Sequence, residues 1–155
     1  MTFFTTLPLS ASWRPSTECE FKVNFDATVF PQHHTTGVGV VIRDGQGLPL
    51  AVACQRFHCV YAIDDAEAMA ARVALQLAWD IGLLNVEVEG DSLTIISALK
   101  DQNLCLASYG DIILDIHQLS NSFYCVKFCH VRREGNKAAY TMARKVLDLH
   151  SDFLV

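Results

Sequence analysis

Polar and apolar residues alternate with period two along Lys22-Val23-Asn24-Phe25-Asp26-Ala27-Thr28, and that alternation predicts a strand. Phe21, Val23 and Phe25 fall on one side of it, and Lys22, Asn24, Asp26 and Thr28 on the other. A carboxylate at such a position must be solvated, hydrogen-bonded or gathered around a cation, because an unpaired buried charge is costly. The plainest expectation is a solvated strand face. A polar turn, Pro31-Gln32-His33-His34-Thr35-Thr36, leads to a second strand at 37–42; Arg43-Asp44-Gly45-Gln46-Gly47 closes it, and 50–57 forms a third. The first third of the chain therefore reads as an antiparallel meander, with His33 and His34 as turn residues.

The period then changes. Ala66, Met69, Ala70, Val73, Leu77 and Ile81 follow the i, i+3, i+4, i+7 spacing of a long amphipathic helix ending near Gly82. Asp64 with Glu67 three residues on has capping-box spacing, so Glu67 has a structural reading as well as a chemical one. Its neighbours Ala66, Ala68, Ala70 and Ala71 are small enough to let the first turn lie close against a sheet. Alternation returns at 85–90, a fourth strand reached by a helical crossover and hence parallel to the first. Asp91-Ser92 ends it and opens a helix through about Lys100, for which Asp91 also reads as N-cap. Ile112, Ile113, Ile116 and Leu119 mark another helix after Gly110, with His117 at its surface or core edge, and 123–129 is a fifth strand. His130-Val131-Arg132-Arg133-Glu134-Gly135-Asn136 is a loop whose Asn136 can cap a last helix burying Ala139, Met142, Ala143 and Val146. The expected organisation is a lead-in at 1–18 carrying Pro8 and Pro15, one domain at 19–149, and a short tail at 150–155.

Composition narrows this picture. A chain of 155 residues, 51% hydrophobic and 19% charged, is long enough to bury an ordinary core without disulfide or metal staples. No uncharged apolar run approaches the roughly 18 residues of a membrane span, and residues 1–13 lack the basic, long-apolar pattern of a secretory signal. Six cysteines without a Cys-x-x-Cys pair read as reduced core residues of an intracellular protein, cytoplasmic or nuclear. Cys125 and Cys129 make a poor metal pair, since residues four apart on a strand sit about 13 Å apart. With a formal net charge of -5, the global field does not attract nucleic acid. Arg132, Arg133, Lys137, Arg144 and Lys145 nevertheless gather near the C-terminal helix, either as a local binding surface or as its solvated face.

Three acids occupy related places: Asp26 within the first strand, Glu67 in the first turn of the long helix, and Asp91 at the end of the parallel strand. If those strands are neighbours, Asp26 and Asp91 lie about 5 Å apart, and the overlying helix lowers Glu67 to the same point. Clustered carboxylates raise one another's pKa unless cations hold them, and an all-oxygen cluster suits Mg²⁺ or Mn²⁺.

The order strand-Asp, helix-Glu, strand-end-Asp after a three-strand meander resembles the ribonuclease H fold. The motifs are similar to those of plant, retrotransposon-related type 1 ribonuclease H domains: Trp13-Arg14-Pro15, Lys22-Val23-Asn24-Phe25-Asp26, Gly37-Val38-Gly39-Val40-Val41-Ile42-Arg43-Asp44, Ala66-Glu67-Ala68, Glu89-Gly90-Asp91-Ser92 and the His130–Asn136 loop. The resemblance implies an α/β fold with a five-stranded mixed sheet in the order 3-2-1-4-5 and helices on both faces. It implies a monomer that hydrolyses the RNA strand of RNA/DNA hybrids by two-metal chemistry, reading RNA by its 2′-hydroxyls. Asp26 would serve both ions, Glu67 and Asp91 the ion at the leaving group, and His130 would assist water activation or product release, though it reads equally as a strand-end residue. Ala27, Thr28, Arg132, Arg133, Asn136 and Lys137 would contact nucleic acid, either a hybrid or double-stranded RNA.

The departures from that family are specific. Tyr140, ten residues after His130, stands where the family has a fourth acid or a His, and a neutral phenol is a poor Mg²⁺ ligand. Neither Glu134 nor Asp148 has the spacing to replace it. Asp26-Ala27-Thr28 replaces Asp-Gly-Ser, Ile63 and Asp64 replace polar amides, and the segment 101–111 lacks a basic cluster. Three readings follow: a hybrid ribonuclease impaired by Tyr140, a catalytically inactive nucleic-acid-binding module, or a protein-interaction domain derived from a mobile element.

Overall fold

The structure is a computed structural model that describes residues 2–6 and 21–149; Trp13-Arg14-Pro15, Cys19 and the tail at 150–155 lie outside them. Six strands, β1 (Thr2–Thr6), β2 (Phe21–Phe30), β3 (Thr35–Arg43), β4 (Pro49–Phe57), β5 (Asn85–Gly90) and β6 (Cys125–His130), form one sheet in the order β1-β4-β3-β2-β5-β6. From β2 through β4 the pairing is antiparallel, whereas β2, β5 and β6 run parallel. Counted from β2, this is the expected five-stranded sheet in the order 3-2-1-4-5. The sixth strand, β1, pairs antiparallel with β4 inside the stretch read as lead-in. An edge strand of five residues is defined by the neighbour it pairs with, and a local pattern does not announce that neighbour.

Helices α1 (Ile63–Asp80), α2 (Leu93–Lys100) and α3 (Gly110–Ser120) pack together on one face, and α4 (Lys137–Arg144) lies alone on the other. Because both faces are covered, β2 is buried on both sides from Val23 to Ala27, Asn24 and Asp26 included. The solvated strand face expected for Lys22, Asn24, Asp26 and Thr28 is therefore corrected: of the four, only Lys22 is exposed.

Small residues set the layer spacing. Along α1, Ala66, Ala68, Ala70, Ala71, Ala74 and Ala78 are all fully buried. On the opposite face α4 rests directly on strand backbone: a Cβ added at Gly39 would sit 2.2 Å from the Ala139 carbonyl oxygen, and one at Gly37 2.2 Å from that of Ala143. Only glycine fits there. Larger side chains fill the space beneath α1 to α3, among them Phe25, Ile42, Leu75, Ile95, Ile96, Leu99, Ile113 and Ile116. Each contributes about 1.5–3 kcal/mol by burial.

Some boundaries move. β6 spans Cys125–His130 rather than 123–129, because Phe123 leaves the strand to pack against Trp79, with ring centroids 5.6 Å apart. His130 is thus the last residue of a strand, and Val146 lies beyond α4 in a 3-10 turn. Cys59 is exposed, which corrects its assignment to the core. Among the described residues no helix is long and apolar enough to cross a membrane.

Candidate metal centre and nucleic-acid groove

The parallel register brings the acids together. Asn24 stands opposite Glu89, so two further residues on each strand bring Asp26 level with Asp91. Glu67 arrives from α1, and one oxygen from each of the three carboxylates lies within 4.8 Å of the others. Asp26 and Glu67 are buried, and Asp91 is half-buried. Gly90 is part of this arrangement, because a Cβ there would fall 2.5 Å from the Phe25 ring that passes beneath it.

The structural alternatives for two of the acids do not hold. α1 begins at Ile63, two residues earlier than capping by Asp64 requires; its N-cap is Ala62, and no side chain caps it. Glu67 instead faces β2, where its Oε1 accepts a hydrogen bond from the Ala27 N–H at 3.4 Å. The N-cap of α2 is Ser92, whose hydroxyl accepts from the Ile95 N–H, so Asp91 is left free of that role. Asn136 stands at the α4 N-cap position but makes no side-chain cap. It is buried; its amide donates to the Phe25 carbonyl at 2.9 Å and accepts from Asn24 at 3.1 Å. Asn24 also donates to Glu89 Oε2, and Glu89 pairs with Lys22 at 3.3 Å. This chain of bonds ties the start of α4 to the backbone next to Asp26. Asn136 is thus buried behind the site and bonded there, and it is not among the residues that form the groove wall.

Burial and mutual repulsion set the electrostatics of the cluster. Burial, followed by the charges of Asp26 and Asp91, pushes Glu67 up to about 10. Burial also raises Asp26 to about 6, with Asp91 adding to the rise and the proton on Glu67 offsetting part of it. One buried oxygen on this wall, Thr28 Oγ1, has no hydrogen-bond partner among the described residues. Three clustered carboxylates, an all-oxygen donor set, fit a divalent cation.

The acids open into a groove of about 400 Å³ whose wall also includes Ala27, Thr28, Arg133 and Tyr140. Arg133 reaches Asp91 with Nε 3.8 Å from Oδ2, its side chain otherwise 87% exposed. Tyr140 is partly exposed, and Arg144, one turn on, lies over its ring at 5.7 Å and over that of Phe30 at 5.5 Å. His130, exposed at the end of β6, places Nε2 3.2 Å from the Asp91 carbonyl oxygen, so it stands at the rim of the acids. Arg132 and Lys137 are exposed but do not form the groove wall. Tyr61, Val29 and Ile63 do. Tyr61 lies just before the helix that carries Glu67 and Ile63 is its first residue, and for Tyr61 that adjacency is the sequence signal. Glu89 was legible by parity with Asp91 in the alternating run 85–91.

A family model described as reverse transcriptase-like matches residues 24–146. No curated protein matches the chain. Among solved structures, ribonuclease H1 from the halophilic archaeon Halobacterium salinarum superposes with a TM-score of 0.75 at 24% identity, covering 83% of this chain and 97% of its own. The N-terminal ribonuclease H domain of a Mycobacterium tuberculosis protein gives 0.75 at 17% identity, covering 84% and 95%. LC11 ribonuclease H1, isolated from compost by a metagenomic approach and solved in complex with an RNA/DNA hybrid, gives 0.73 at 21%, covering 83% and 97%. At these identities the likeness establishes the fold.

Proposed function

We propose, from the premise that this chain belongs to the reverse transcriptase-like family with a ribonuclease H fold, that it is a divalent-metal-dependent nuclease acting on the RNA strand of RNA/DNA hybrids. The observation that carries the reading is the convergence of Asp26, Glu67 and Asp91 within 4.8 Å at the floor of an open groove. Those three residues would hold the cation, Mg²⁺ or Mn²⁺, which when bound supplies Lewis-acid polarisation of a phosphodiester. Ala27 and Thr28 form the wall along which a sugar-phosphate strand would lie, and Thr28 Oγ1 is a hydroxyl with no internal partner to give up. Arg133 supplies positive charge at the same wall, and His130, with Nε2 3.2 Å from the Asp91 carbonyl oxygen, stands at the rim, where it would assist water activation or product release. Arg132 and Lys137, exposed nearby, extend the basic surface to flanking phosphates.

Tyr140 bears on the rate. Its phenol adds no charge to the groove, so the carboxylates present supply one strong cation position and leave a second poorly furnished. The same observation supports a second reading, a binding module that keeps the groove without turning over. Incubation of the protein with a labelled RNA/DNA hybrid and Mg²⁺ or Mn²⁺, beside Asp26→Asn, separates them. Cleavage lost in the variant is the result expected of the nuclease. Hybrid binding that survives the substitution, with no product from either protein, is the result expected of the module.

A further inference from the structure

We propose that Arg133 is an exchangeable counter-charge of the acidic site: it neutralises Asp91 while the site holds neither cation nor substrate, and transfers to a substrate phosphate when a nucleic acid binds. The assignment rests on the nuclease reading above and deepens it. Three carboxylates crowd one point, so a cationic side chain beside them is drawn to the site while it holds no metal ion. Tyr140, also on the groove wall, carries no positive charge. Of the cations near the C-terminal helix, Arg133 alone pairs with one of these acids, and it does so on the groove wall itself.

The geometry is that of a loose contact. At 3.8 Å the pair is an ion contact and not a hydrogen bond, and the guanidinium is otherwise in solvent. Exposed pairs of this kind change an equilibrium by about two- to fivefold, too little to hold the groove shut against a ligand. Arg133 belongs to the short 3-10 turn Arg133–Asn136, and that turn is anchored by the buried bonds of Asn136 to Phe25 and Asn24. The backbone is therefore fixed while the side chain is free to swing. A planar guanidinium suits phosphate oxygens as well as carboxylate, so the exchange swaps one oxyanion for another.

This role predicts opposite signs for two ligands. Arg133→Gln removes a positive charge that competes with a divalent cation and assists a phosphate. Calorimetric titration with Mn²⁺ should show the variant binding about two- to fivefold tighter than wild type. Fluorescence anisotropy with an RNA/DNA hybrid in chelator, across a salt series, should show weaker binding with the salt slope reduced by about one. Arg133→Lys should retain the slope, and Arg132→Gln should leave Mn²⁺ affinity unchanged while it weakens the hybrid. Weakening of both ligands by Arg133→Gln, or a change in neither, overturns the proposal. If wild type binds neither Mn²⁺ nor hybrid, the nuclease reading itself fails; if it binds both and Arg133→Gln matches it, only the assignment of Arg133 fails.

Discussion

Replacing Asn136 by Ala tests whether the floor of the site is held from behind. The amide makes two buried bonds, to the Phe25 carbonyl at 2.9 Å and from the Asn24 amide at 3.1 Å, and Asn24 and Asn136 are both almost fully buried. Truncation leaves that carbonyl and one amide hydrogen unsatisfied away from water. At about 1–3 kcal/mol for a stranded buried group, with some relaxation, the expected loss is about 2–4 kcal/mol. For a domain of this size that lowers Tm by about 6–12 °C. Urea unfolding followed by circular dichroism measures it directly. Asn136→Asp should be no better, since it keeps the acceptor for Asn24 but turns an oxygen toward the Phe25 carbonyl and adds charge near Glu89. The folded fraction of Asn136→Ala should bind hybrid within about twofold of wild type, which is under 0.5 kcal/mol. A loss below about 1 kcal/mol, or a large loss of hybrid affinity at unchanged stability, would refute the reasoning and return Asn136 to the binding surface.

Stability without metal should fall as pH rises. Asp26 and Glu67 hold protons more tightly folded than unfolded, so the stability they contribute is full below about pH 4. It drains as pH passes about 6 for Asp26 and approaches about 10 for Glu67. Thermal scans in chelator between pH 5 and 8 should lose about 1 kcal/mol per pH unit, and Mn²⁺ should flatten the trend; a flat profile in chelator contradicts it. Gly39→Ala forces a methyl against the Ala139 carbonyl and should cost about 1–3 kcal/mol in urea unfolding, whereas Gly47→Ala, in an open turn at positive φ, should disturb only its loop. Tyr140→Asp adds a carboxylate to the groove wall and should raise both Mn²⁺ affinity and hybrid cleavage; no change in either removes Tyr140 as the limit on the rate.

The elements with a strong period were legible before any coordinates. The meander, the alanine-lined α1 and the alternating β5 each carry a pattern that one face of packing imposes, and the three acids fall at fixed places on them. What escaped depended on partners distant in sequence. Asn24 and Asp26 looked like a solvated face because alternation does not reveal that α4 covers it. Glu67 and Asp91 each had a local capping role available, and the structure assigns those ends to Ala62 and Ser92. Asn136 satisfied the pattern of an N-cap, yet its amide turns inward to bond Phe25 and Asn24, 111 and 112 residues away in sequence. Gly37 and Gly39 read as ordinary strand residues until the α4 backbone is found resting on them.

The central claim is that Asp26, Glu67 and Asp91 together seat a divalent cation. Isothermal titration of the folded protein with Mn²⁺ at pH 7.5, in two buffers of different ionisation enthalpy, tests it most directly. The account predicts saturable binding with release of about one proton per ion, drawn from Glu67, and loss of that binding in Asp26→Asn. Saturable binding that persists unchanged in Asp26→Asn, or no binding by wild type, would contradict it.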